Sequence, residues 1–141
     1  MPAPYHANLE LILVDWIGAH RDGDLERLAE LLHEDVEQRW IDGKVYCANR
    51  AAMLAWIEHR LTERPNQYLI DAVEAIRGDD EHVVLSVHGG HLDEVGGEPV
   101  GGHIYEVFTV RGGRIAAIRD FVERADALAA AGLDPRAASS R

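Results

Sequence analysis

The chain changes its hydrophobic period once, near residue 66, and that change limits what it can fold into. Before it, Leu9, Ile12, Leu13, Trp16 and Ile17 recur at i, i+3, i+4, i+7 and i+8, one apolar face of a helix that Gly23 should stop. Asp24 is placed to cap a short second helix through Leu25, Leu28, Leu31 and Leu32. "VEQRW" reads as a short strand and "IDGK" as a turn. Met53, Trp56, Ile57, Arg60 and Leu61 mark a third amphipathic helix, closed by Pro65. After the change, residues 68–77, 82–93, 103–111 and 114–123 read as four strands of an antiparallel meander, separated by "GDD", "VGGEPVGG" and "RGG". From Glu123 the chain is helical in propensity, and "DPRAASSR" has nothing to bury. Helices first and strands after imply an α+β fold with helices on one face of a curved sheet. One domain over residues 1–133 and a flexible tail over 134–141 are expected.

Composition removes several function classes. The formal charge is −11, with 14 Lys and Arg against 25 Asp and Glu, so phosphate-rich nucleic acid is not an expected partner. No apolar run approaches the ~20 residues of a membrane helix, and "MPAPYHANLE" lacks a signal peptide's features, so a cytoplasmic protein without membrane contact is expected. Cys47 is the one cysteine, which forbids an intrachain disulfide and leaves it a packing residue. "GGEPVGG" joins strand to strand, with no helix N-terminus after it to hold phosphate, so it is a hairpin. In "HGGH", His88 and His91 fall on opposite faces of one strand, so neither a metal nor any other cofactor is expected.

Two acids stand where a core would ordinarily hold apolar residues. Alternation along 103–110 puts Ile104, Glu106, Phe108 and Val110 on one face, and their apolar character marks it as the concave, helix-covered one. Buried carboxylates without compensation cost several kcal/mol, so Glu106 has either a partner or a task. A three-residue loop Arg111-Gly112-Gly113 would pair Val110 with Arg114 and bring Ala116, Ile118 and Asp120 to the Glu106 face. A two-residue loop Gly112-Gly113 would bring Arg119 there instead, to pair with Glu106. The same bookkeeping sets His91 beside Glu106 if no bulge intervenes. On the opposite face Tyr105, Val107, Ile115, Ala117 and Phe121 form an apolar patch, from which a homodimer through the outer sheet face is expected.

The order of elements resembles the nuclear transport factor 2-like superfamily and, within it, the SnoaL-like and ketosteroid-isomerase-like branch. The resemblance rests on "DWIGAHRDGDLERLAELLHEDV" and on the closing hairpin "VFTVRGGRIAAIRDF". It implies a cone-shaped α+β fold enclosing a pocket, and it requires the three-residue loop. Steroid isomerases of this group place a catalytic Tyr on the first helix and a base Asp on the first strand. The matching positions here are Trp16 and Trp40, so that chemistry is not implied. Their acid on the penultimate strand matches Glu106, and the acid/base Asp of SnoaL-like cyclases matches Asp120. Epoxide-hydrolase-like members need an Arg two residues before the penultimate-strand acid, where this chain has Ile104. The resemblance therefore implies a cofactor-independent cyclase, isomerase or hydrolase acting on a small apolar or carbonyl-bearing molecule. Asp120, Glu106 and His91 would handle protons, and Trp16, Trp40, Tyr46, Trp56, Ile104 and Ile118 would form the wall. A non-catalytic ligand-binding or dimerisation module with ion-paired acids is the alternative.

Overall fold

The computed structural model describes residues 4–63, 70–78, 81–89, 94–95, 98–99 and 103–133. The opening helix is continuous but changes pitch: α1 (Pro4–Glu10), a π-helical stretch (Leu11–Trp16) and α2 (Ile17–Asp22). Ile12 and Trp16 are buried while Val14 between them is 59% exposed, a one-sided pattern that a 3.6-residue periodicity does not distinguish from an ordinary helix. Gly23 ends the helix at φ 66°, a left-handed cap that glycine adopts without steric cost. The Asp24 carboxylate then accepts a hydrogen bond from the Arg27 backbone N–H at 3.1 Å and starts α3 (Leu25–Leu31).

Strand β1 (Leu32–Arg39) turns at Gly43 into β2 (Val45–Cys47), a short strand that the sequence pattern did not announce. Helix α4 (Arg50–Glu63) follows, with Asn49 Oδ1 accepting from the Ala52 N–H at 2.8 Å. The strand-rich half comprises β3 (Ile70–Gly78), β4 (His82–Gly89), a two-stranded ribbon β5 (Glu94–Val95) and β6 (Glu98–Pro99), then β7 (His103–Arg111) and β8 (Arg114–Phe121). The main sheet runs β2-β1-β8-β7-β4-β3. β1 lies parallel to β8 and every other neighbouring pair is antiparallel, so the α+β reading holds for a mixed, mainly antiparallel sheet.

The inner face packs on the helices. Val83, Leu85, Phe108 and Ile118 share one buried cluster with Ile12, Trp16 and Leu28. The outer face departs from expectation. Helix α5 (Arg124–Ala130) folds back on it, and Ala127, Leu128 and Ala131 form a second cluster with Val84, Val107 and Phe121. Ile115 is fully buried in the inner cluster. The apolar patch inferred for a dimer is therefore largely covered by the chain's own helix, because alternation alone could not say where that helix docks. Pro65, residues 90–93 including His91, and the tail 134–141 lie outside the described residues.

Candidate acid-base site

Gly112 and Gly113 both have positive φ, 58° and 75°, the mark of a two-residue hairpin turn whose twist matches the strands it joins. Arg111 pairs with Arg114 and Val110 with Ile115, so the three-residue loop is corrected. Left alone, this turn would set Arg119 opposite Glu106. The register slips between Thr109 and Val110, however. Thr109 pairs with Ala117, leaving Ala116 as the extra residue of a β-bulge. One bulged residue restores the parity that the shorter loop had changed. Phe108 then faces Ile118, Val107 faces Arg119, and Glu106 lies directly opposite Asp120. The expected face for Asp120 is observed, reached by a different route.

Arg119 is consequently turned away, its guanidinium 4.7 Å from the Phe121 ring centroid. Two ion pairs among the described residues, Arg27 with Asp15 at 2.5 Å and Arg39 with Glu37 at 2.7 Å, do not involve the inner acids. Asp120 is 4% exposed and Glu106 is partly buried. Burial first, then the Glu106 charge and a hydrogen bond with Glu106, hold the Asp120 carboxyl well above its ordinary 3.8, against a smaller lowering by a hydrogen bond from Gln38. Burial also raises Glu106 above 4.5, while the bond from Asp120 lowers it. Burial thus favours the neutral form of both acids, and most strongly that of Asp120, whose carboxyl is hydrogen-bonded to that of Glu106. Asp120 Oδ1 is fully buried with no hydrogen-bond partner.

The surroundings are apolar. Leu85 faces Glu106 from β4, and Ile104 and Ile118 are 2% and 1% exposed. β1 pairs Gln38 with Ile118 and Arg39 with Arg119, and Trp40 follows directly after these pairs, where its N–H bonds the Lys44 carbonyl oxygen at 3.0 Å. Trp40 meets Tyr46 at 4.2 Å between ring centroids, and Tyr46 meets Trp56 at 5.9 Å, all three half-buried. Trp16 is apart from this group. It is 5% exposed and edge-on to Phe108 at 6.3 Å and to His20 at 4.3 Å.

Two polar residues at this layer escaped the sequence reading. Gln38 shares the inward register of Val36 and Trp40, a signal already present in "VEQRW". His20 is buried with Nδ1 3.0 Å from the Trp16 carbonyl oxygen; a carbonyl only accepts, so Nδ1 carries the proton. Cys47 is buried and its thiol is pushed up to about 11 by that burial, which suits a packing residue.

No protein of curated function shows significant sequence similarity to the chain. Solved structures share its fold at low identity. A candidate polyketide cyclase from Xanthomonas campestris aligns with TM-score 0.64 and 20% identity over 84% of this chain and 92% of that one. An NTF2-like protein of unknown function from Burkholderia pseudomallei gives 0.61 and 18% over 89% and 97%. TerC, crystallised with polyporic acid, gives 0.56 and 19% over 83% and 92%. Residues 13–118, which carry the opening helices, the sheet and the strand leading to Asp120, match the SnoaL-like domain family, and the chain belongs to it.

Proposed function

We propose that this chain is a small-molecule enzyme of the polyketide-cyclase and isomerase type, in which Glu106 and Asp120 carry out acid-base chemistry on an apolar, carbonyl-bearing substrate. The observation that carries this reading is the buried, directly opposed carboxyl pair, hydrogen-bonded to each other and with no ion-pair partner among the described residues. Such a pair supplies both groups that enolisation needs. The Glu106 carboxylate removes a C–H proton next to a carbonyl, and the Asp120 acid donates a hydrogen bond to the oxygen on which charge develops. In an aldol-type ring closure the abstracted proton returns to the new alkoxide, so the pair ends in its starting state. Trp40, Tyr46 and Trp56 would form the wall that holds a flat substrate at the sheet's end, with Ile104 and Ile118 beneath it. Trp16 would support this wall from the core, and His91 would be a relay. The TerC complex, a small molecule held by a protein of this fold, favours the same class of ligand.

Solvent deuterium exchange tests the chemistry without the natural substrate. 2-Tetralone in D2O, followed by proton NMR, should exchange its α-protons faster with the protein than without it. Asp120→Asn and Glu106→Gln should each abolish the acceleration. Polyporic acid, titrated against tryptophan fluorescence, tests binding separately. Exchange that is equally fast in both variants would place the base elsewhere. Binding with no exchange by the parent protein would favour a ligand-binding module.

A further inference from the structure

The sequence argues against a metal because His88 and His91 lie on one strand with the wrong spacing. The sheet register brings a different pair together. His88 on β4 is the direct cross-strand partner of His103 on β7, so both side chains leave the same outer face of the sheet. Their rings lie 3.9 Å apart between centroids with 16° between planes. His88 is exposed and His103 half-buried, and both stand apart from the clusters that α5 covers.

We infer that His88 and His103 form a two-imidazole site for a borderline divalent transition metal ion, Cu²⁺, Ni²⁺ or Zn²⁺, on the face of the sheet opposite the acid pair. Imidazole nitrogen suits these ions and does not suit Mg²⁺ or Ca²⁺. Metal–nitrogen bonds of about 2.0–2.1 Å lie in the plane of each ring, so the stacked rings, 3.9 Å apart, do not yet converge on one ion, and the exposed His88 ring has to swing out of the stack to aim its nitrogen at an ion held by His103. Ser86 sets the orientation. Its hydroxyl lies 2.6 Å from His103 Nε2 and is buried in the sheet, and in the metal-bound form it would accept from Nε2–H. That tautomer leaves the Nδ1 lone pair of His103 for the metal, the usual role of a partner behind a ligating histidine. Tyr105, with its ring 4.7 Å from that of His103, closes one side. Among the described residues no group of three or more His, Cys, Asp or Glu side chains could hold a metal, so the site is open and bidentate, with water or a ligand oxygen in the remaining positions. The net charge of −11 adds a general attraction for cations.

The proposal is independent of the acid pair and is tested on the full chain without an affinity tag. Ni²⁺ titrated by calorimetry should bind, and bound Cu²⁺ should show two coordinated nitrogens by electron paramagnetic resonance. His88→Ala and His103→Ala should each weaken binding at least tenfold, and Ser86→Ala roughly tenfold through loss of ring orientation. His33→Ala and His59→Ala should leave it unchanged. Because a metal joining two strands binds only the folded chain, Ni²⁺ should raise the melting temperature of the parent and not of the double variant. His103→Gln replaces His103→Ala should the latter melt early. Unchanged Ni²⁺ affinity in a folded His88/His103 double variant, or no binding by the parent at millimolar Ni²⁺, would overturn it.

Discussion

Asp120 is the residue on which structure and proposed function meet. It is buried, it faces another acid, and the polar contacts it makes are with Glu106 and Gln38. A carboxyl in that position is poorly solvated when charged, and it keeps its proton to a pH well above the ordinary value of 3.8. Asp120→Asn keeps the shape but cannot exchange that proton, so turnover should fall on the order of 10²–10⁴. The double variant with Glu106→Gln should lose little more than either single one, since the acids act as a unit. Stability should respond in the opposite sense. Both carboxyls bind protons more tightly in the folded chain than in the unfolded one. Between the ordinary carboxylate range and their raised values the folded state therefore holds more protons, and its stability falls as pH rises through that window. Thermal melts from pH 4 to pH 8 should show that decline in the parent and a shallower one in Asp120→Asn. An asparagine variant melting well below the parent at pH 8 would mark Asp120 as a structural residue.

The hairpin joining β7 to β8 shows how much of this site the sequence carries. Helix starts and stops were legible where Gly23 and Asp24 act locally, through one backbone angle or one side-chain bond. The facing acids were legible only as alternatives, because the face of Asp120 depends on a loop length and a bulge together. Gly-Gly signals a turn without fixing its length, and a bulge at an alanine leaves no mark in a run such as "RIAAIRD". The parallel contact of β1 with β8, which delivers Gln38 to Asp120, joins residues about eighty positions apart, beyond any local pattern. Deleting Ala116 should therefore be more harmful than its small side chain suggests. It would rotate Arg119 toward Glu106 and Asp120 outward, and activity should be lost in a chain that still gives a β-rich circular dichroism spectrum. Gly113→Val, at φ 75° with open space around the position, tests the turn through backbone strain alone, and should destabilise by more than about 1 kcal/mol in urea unfolding.

For the molecule as a whole, the sheet divides two jobs between its faces. The inner face carries the acid pair against the helices, and the outer face is sealed over Val84, Val107 and Phe121 by α5 and carries the exposed His88 and half-buried His103 outside that seal. Leu128 is fully buried in that seal. Leu128→Ala should cost about 2–5 kcal/mol if the cavity does not collapse. It should also loosen α5, so that light scattering detects concentration-dependent association through the newly exposed outer face, while the inner acids keep their titration. Unaltered mass at high concentration would show that α5 stays docked without its main apolar anchor. Among the described residues no helix is long and apolar enough to cross a membrane.

The protonation of the acid pair can be observed directly. With ¹³C-labelled Asp and Glu, the side-chain carboxyl carbons of Glu106 and Asp120 can be followed by NMR from pH 3 to pH 9, with Glu106→Gln and Asp120→Asn to assign them. A coupled titration is expected, with one carboxyl of the pair still protonated at pH 7, and a partner whose titration moves toward ordinary values when the other acid becomes an amide. Two independent carboxylates, both ionised by pH 5 and unaffected by each other's substitution, would contradict the coupled pair and with it the acid-base site.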